Sequence, residues 1–480
     1  MTSDKFRHQL RHEAQIWQAE GLIDDLQYEQ LSQRYQFNTL DSTARNSFIA
    51  ILVGLGSILI GLGIITFVAA NWQELPRLGK VTLLLSLFIG VNIAGFWLWK
   101  HPKESRQRLG HGLLLLGALI LGANMGLMGQ IFHINAPFYE LLLAWGIGVL
   151  AMAYSLRLTS LGVLSIILLW LGYWGYWGSA IAQSWSTAAI TEVTWSSLIG
   201  QHMPLLSVVL FIPLAYWCRS GWIFALGAIA IVTSLEANLQ TFVWGTSQSG
   251  WVTSIAFALP AALLWSYDDS PLVHGNFLRL HRHSDRHLKF GSFQAIARNL
   301  ALFTLGVLFI FAATTAFWDS LAQSTEYNTP SRQNQLLLID AVVLAGIAVW
   351  QWISLMTSQS RRRRQQNMTT IVVGVFICII ALVTFWHIEV ANISPYATFI
   401  FNVMLFLFAA GLIRTGLAKG GRRAFWGGML LLSLRIFYVF LLSATGLLFK
   451  SLVFILCGIG VMAVGLWFER HIRIHHPAKS

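Results

Sequence analysis

The sequence predicts an all-α fold: a polytopic transmembrane helical bundle of about fourteen spans, both termini cytoplasmic, preceded by a small N-terminal helical hairpin. Three observations predict it. Of 480 residues, 56% are hydrophobic and only 11% are charged, with a mean hydropathy of +0.62, whereas an ordinary soluble domain is roughly 25% charged. Apolar stretches of about 20 residues, the length that crosses a bilayer core at 1.5 Å per residue, recur along the chain. The cations sort into alternate loops. Such a composition excludes a soluble enzyme, a disordered chain and a disulfide scaffold, and it leaves no room for a large soluble catalytic domain.

Residues 1–47 are polar, and the apolar run that follows is too long for the core of a cleavable signal peptide, so none is expected. Within them, residues 5–37 read as two short helices. Leu10, Ala14 and Trp17 share a face with Ile16 near its edge, and Gly21 stops the first helix. Asp24 or Asp25 is placed to cap a second helix carrying Leu26, Leu31 and Tyr35. A hairpin of this size cannot stand alone and must pack on its own bundle, a membrane face or a protein partner. His8 and His12 are spaced i, i+4, but no acid or cysteine completes a metal site.

The spans read as 48–70, 79–99, 111–132, 139–156, 158–178, 203–218, 221–243, 250–267, 296–318, 335–356, 369–387, 396–413, 424–442 and 446–468. This gives an N-terminal membrane region, 48–178, a C-terminal one, 179–468, and a basic tail, 469–480. Two short joints, inside 139–178 and 203–243, leave counts of twelve or thirteen open. Of the 32 lysines and arginines, only Arg77, Lys80 and Arg332 fall in or at the edge of outer loops, and Arg435 and Lys450 fall deeper inside spans. That is a strong positive-inside pattern, and it accounts for the net charge of +12 without nucleic acid. Inner cations are expected to hold anionic lipid: Arg279, Arg282, Arg286 and Lys289, interleaved with Phe277, Leu278, Leu280, Leu288 and Phe290, and the run Arg361, Arg362, Arg363, Arg364. Tryptophans at span ends (Trp97, Trp99, Trp174, Trp177, Trp350, Trp352) form an aromatic belt, and the Ser/Thr/Trp-rich stretch 179–202 reads as an outer surface loop or lid.

Glycines Gly54, Gly56, Gly61 and Gly63, and Gly117, Gly122, Gly126 and Gly129, lie inside apolar spans. With no strand before them they are not phosphate loops, and they are expected to let helices approach closely. Cys218, Cys378 and Cys457 have neither disulfide nor metal spacing. No Ser/His/Asp set, HExxH or Walker loop is present, so no cofactor, metal or catalytic residue is expected.

Three stretches together resemble a known family: Trp17 and Gly21-Leu22-Ile23 with the later Tyr35; the first span ending Phe67-Val68-Ala69-Ala70-Asn71-Trp72 with Leu75-Pro76; and the run from Gly122-Ala123-Asn124-Met125 to Gln130-Ile131-Phe132-His133. The chain resembles, over roughly residues 6–155, the bacterial membrane proteins defined by domain of unknown function 2157. Leu434-Arg435-Ile436-Phe437-Tyr438 is similar to the end of longer members, with Tyr438 where an acid is common. The resemblance implies a multi-pass protein of the bacterial inner membrane and supplies no reaction.

Expensive polar residues mark the candidate site. Arg435 lies about 17 Å past Arg422 and Arg423, where a charge costs about 2.5–3.5 kcal/mol and a guanidinium cannot be discharged. It needs an acid, carbonyls, water or an anion. Asp340, Glu236 and Glu140 are the candidate acids in outer half-spans, Lys450 enters from the same side, and Glu236 and Gln240 share a helix face. Asn124, Gln130 and His133 are candidate polar lining. The reading that follows is a membrane protein that binds or moves a lipid-like or small anionic solute. The alternatives are a scaffold docking partners through the hairpin and an intramembrane transferase on lipid-linked substrate.

Overall fold

A computed structural model describes residues 4–35, 37, 52–63, 66–67, 70, 76–184, 194–243, 249–268, 293–322, 332–357 and 364–442. Among them every regular element is a helix. Among the described residues nine helices are long and apolar enough to cross a membrane, ten if one bent pair is a single span. The chain is a multi-pass membrane protein. Each expected span from 79–99 through 424–442 coincides with a helix, except 296–318, which falls on two. The last span, the basic tail, Lys450, Arg279, Arg282, Arg286, Lys289, Arg361, Arg362 and Arg363 lie outside the described residues, as does the side chain of Arg364. The chain divides into two compact units, Met1–Ala189 and Ile190–Ser480.

The first unit opens with the hairpin α1 (Asp4–Ala19) and α2 (Asp25–Tyr35). Gly21 sits at φ +73°, a left-handed conformation that favours glycine, and turns the chain. Asp24 is the cap: its Oδ1 accepts from Gln27 N at 2.7 Å, while Gln27 Oε1 accepts from Asp24 N at 3.1 Å. Ala14 and Phe37 are the buried centre, with Leu10, Trp17, Ile23, Tyr28, Leu31 and Tyr35 packed on them. Leu26 departs from expectation. It points outward with Leu22, and Tyr28 takes the inner position.

Part of the first span is described as α3 (Leu52–Gly63). Then come α4 (Arg77–Trp99), α5 (Glu104–Ile131), α6 (Phe138–Leu156) and α7 (Thr159–Ser184). Consecutive helices pack antiparallel, and α5 also touches α7. The joint between α6 and α7 is a genuine reversal: Arg157 stands at φ +55° and closes α6 with its N–H on the Ala153 carbonyl. The two helices approach closely because a side chain at Gly146 would collide with Leu169, and one at Gly172 with Leu143. The glycine expectation holds unevenly. Gly117 lies against Asn92, Gly122 against the Trp145 ring and Gly61 against Leu116, whereas Gly54, Gly56, Gly63 and Gly129 meet nothing within 4 Å among the described residues.

The second unit contains α8 (Trp195–Gln201), α9 (Met203–Trp217), α10 (Gly221–Val243), α11 (Gly250–Ser266), α12 (Phe293–Ala312), α13 (Thr315–Ala322), α14 (Arg332–Thr357), α15 (Arg364–Glu389), α16 (Ser394–Lys419) and α17 (Arg422–Leu442). At its centre is α11, which packs on α10, α12, α14 and α15, carries no charged residue and is buried over most of its length, with Trp251 and Ile255 exposed near its start. Two breaks were not expected. The pair α8–α9 bends by 79° at His202, where a Thr194–Ser197 capping box starts α8 inside the stretch read as a loop. The span read as 296–318 stops at Ala312 and restarts at Thr315. Thr314 Oγ1 donates to the Phe311 carbonyl, and Trp318 Nε1 donates to that of Ala312, so side chains replace the helical ladder there. Large apolar side chains on the spans, such as Phe303, Leu382 and Phe399, are exposed, the condition of helices that face lipid. Trp97 and Trp350 are exposed at span ends, as a belt requires, but Trp352 turns inward and donates to the Ala262 carbonyl.

Candidate functional site

The break after α12 builds the polar site of the second unit. An α-helix leaves its last carbonyls without ladder partners, and its C-terminal end is partially negative. Here those of Ala312 and Ala313 are left inside the protein, where unsatisfied groups are costly. Arg435 on α17 reaches across and donates from Nη2 to the Ala313 carbonyl at 2.6 Å and from Nε to Asn402 Oδ1 at 2.8 Å. Asn402 Nδ2 donates in turn to the Ala313 carbonyl at 3.0 Å and to that of Thr398 at 2.7 Å. The Tyr438 ring lies 5.1 Å from the guanidinium carbon, within cation–π range. Arg435 is only 7% exposed, and its Nη1 has no hydrogen-bond partner among the described residues.

The same break orders its neighbours. His387 accepts the Ile393 N–H at Nδ1, so Nε2 carries the proton and donates to the Trp318 carbonyl at 2.9 Å. Trp318 is fully buried against Phe401. Thr384 Oγ1 and Thr398 Oγ1 are buried without partners among the described residues.

The expected site residues do not converge on Arg435. Asp340 on α14 is fully buried, but its Oδ1 bonds His202 Nδ1 at 2.8 Å and its Oδ2 accepts the Leu205 N–H at 3.5 Å. Glu236 and Gln240 share a face of α10 as expected, and that face is exposed. Glu140, in the first turn of α6, is half-buried in the first unit. Asn124 is buried there and donates to the Leu84 carbonyl at 3.1 Å, the interhelical bond that an amide in hydrocarbon needs. Gln130 and His133 are exposed at the end of α5. Among the described residues, Arg435 therefore has no carboxylate partner. Its partners are a freed carbonyl, an amide and a ring.

Asn402, His202, His387 and Trp318 are absent from the sequence-based set. Asn402 carries the signal that singled out Asn124, an amide in an apolar run. His202 precedes Met203-Pro204, and a proline in the first turn marks it as a helix-start position.

Comparison with known proteins fits this architecture. Residues 15–162 match the family described as "Predicted membrane protein (DUF2157)". The match runs from the first hairpin helix into α7 and agrees with the resemblance read from the motifs. The chain is also similar, at 28% identity over 81 residues, to the probable 4-amino-4-deoxy-L-arabinose-phosphoundecaprenol flippase subunit ArnE of Klebsiella pneumoniae (strain 342). That stretch is 17% of this chain and 71% of the relative. No solved structure matches the chain.

Proposed function

We propose that this protein binds, and moves across the bacterial inner membrane, a lipid-like or small anionic solute that Arg435 recognises from the outer side. The observation that carries the reading is a permanently charged guanidinium, buried, with one nitrogen unpartnered and no carboxylate beside it among the described residues. The remaining nitrogen can be satisfied by an anion or water. The similarity to a probable flippase subunit for a lipid-linked sugar supports the lipid-linked class. Both termini lie in the cytoplasm in this reading, because the cations fall on that side, where they also hold anionic lipid.

The test is thiol accessibility. The three native cysteines are removed, Arg435→Cys is installed, and whole cells are exposed to a membrane-impermeant thiol reagent. Leu434→Cys, on a side chain that faces outward, reports insertion and background. Rapid labelling at 435 above that background is the expected result. No labelling in a folded, inserted protein means that Arg435 only caps the broken helix, and the transport reading falls.

One observation favours a second role for the hairpin. Leu22 and Leu26 are exposed on it, 67% and 66%, so a docked protein partner is the reading to hold if the site proves sealed. Deleting residues 1–45 would then remove the partner.

A further inference from the structure

The pair His202–Asp340 lies apart from the Arg435 cluster, and nothing in the transport reading assigns it a role. We propose that it is a proton-binding site: the two side chains together hold one exchangeable proton, taken up at His202 Nε2 at the break between α8 and α9.

The geometry argues for it. Asp340 is fully enclosed, so an ionised carboxylate there has lost its water, which leaves a penalty of several kcal/mol. What offsets that penalty is modest. The Leu205 N–H, in the first turn of α9, is a long donor at 3.5 Å, and the partial positive end of α9 adds a little. The strong contact is the imidazole, 2.8 Å away. With His202 neutral, Nδ1–H donates to Oδ1, and the pair carries a charge of −1. A proton added at Nε2 gives imidazolium beside carboxylate, net zero, with no bond broken. The His202 side chain is 30% exposed, so its ring reaches the protein surface while its partner does not. Among the described residues Nε2 has no partner, and no third His, Cys, Asp or Glu completes a metal site.

Among the described side chains, no cation other than His202 pairs with Asp340. Helices α8 and α11 bring no ionisable side chain, and α9 brings only Tyr216 near its far end. Helix α10 brings Glu236, which is exposed. On α14 itself the other ionisable residue is Arg332, two turns earlier. The site also sits at a joint. His202 occupies the 79° bend, and Asn238 Nδ2 donates to the adjacent Gln201 carbonyl at 2.6 Å. This inference stands whether or not Arg435 binds an anion, because it shares no residue with that cluster.

Diethyl pyrocarbonate, which modifies neutral imidazole, tests it on the purified full-length protein between about pH 5 and pH 9, with His202 modification read by mass spectrometry. His133, exposed in the first unit, is the internal reference. The expected result is modification at His202 that rises with pH as a single proton is lost, with an Asp340-dependent rate. Asp340→Asn should raise the rate near neutral pH about five- to ten-fold and leave the His133 curve unchanged. Asp340→Glu, which keeps the charge, should stay near wild type. Equal His202 rates in wild type and Asp340→Asn overturn the proposal, because the contact is then an ordinary hydrogen bond. No modification at any pH also overturns it, because the ring is then sealed. If Asp340→Asn fails to fold, a wild-type His202 rate that does not change between about pH 5 and pH 9 overturns it as well.

Discussion

Arg435 illustrates what a single residue can and cannot disclose. Its cost in the membrane was legible, because no other residue type is so hard to discharge. Its partners were not. A backbone carbonyl freed by a helix break leaves no mark in an apolar run, and Asn402, 33 residues earlier, carries no charge to count. Asp340 and Glu236 looked like better partners on charge alone, yet Asp340 is bonded to His202 and Glu236 is exposed. The observed partners yield a sharp prediction. Asn402→Asp places a carboxylate where the amide oxygen now lies, 2.8 Å from Nε. A charge-assisted bond is worth about 1.5–3 kcal/mol. The two donor bonds lost go to carbonyls that keep another donor, so their loss costs less. We expect a net gain of about 1 kcal/mol, seen as a higher melting temperature. We also expect the loss of any stabilisation by added inorganic phosphate, since the guanidinium is then neutralised from within. Unchanged phosphate stabilisation in this variant would place the anion elsewhere.

At the scale of elements, position and type were readable, because length and hydropathy fix a membrane helix almost alone. So were the hairpin turn at Gly21 and the cap at Asp24, where local chemistry decides. The break at Thr314 was hidden because side chains of its own stretch replace the ladder, and that at His202 because the side chains bonded to its flanks, Asn238 and Asp340, come from distant helices. Small-residue stripes were readable only as a class. Gly122 and Gly129 recur alike on α5, yet only Gly122 meets a neighbour. The indole of Trp145 covers Gly122, held there by its Nε1 donating to the Ala118 carbonyl at 2.8 Å. A methyl at Gly122 would enter the ring, and the ring cannot move without losing that bond. Gly122→Ala should therefore destabilise the first unit by about 1–3 kcal/mol, as overpacking does, while Gly129→Ala should be neutral or slightly stabilising. Thermal unfolding of the two variants side by side checks this, and equal melting temperatures would mean that α5 and α6 are not so closely opposed.

Over the whole molecule, the charge pattern fixes more than composition does, because it assigns each loop a side. Two short helices decide the count. Met203–Trp217 has 15 residues and rises about 22 Å, less than a hydrocarbon core of about 30 Å, and it is entered through the 79° bend. Gly250–Ser266 has 17 residues, but it packs on α10, α12, α14 and α15 over most of its length, so little of it must match the lipid. If both cross, the loops at His133 and Asn392 lie on the same outer face, and those at Lys103 and Arg423 on the inner. Single cysteines at these four exposed positions, in a chain without native cysteines, test the arrangement with an impermeant thiol reagent on whole cells. We expect labelling at 133 and 392 at once, and at 103 and 423 only after permeabilisation. Labelling of 133 and 392 on opposite faces would mean that an odd number of helices crosses between them. In that event α9 is the one to turn back, and the His202–Asp340 pair would sit at the tip of a re-entrant segment instead of at the mouth of a span.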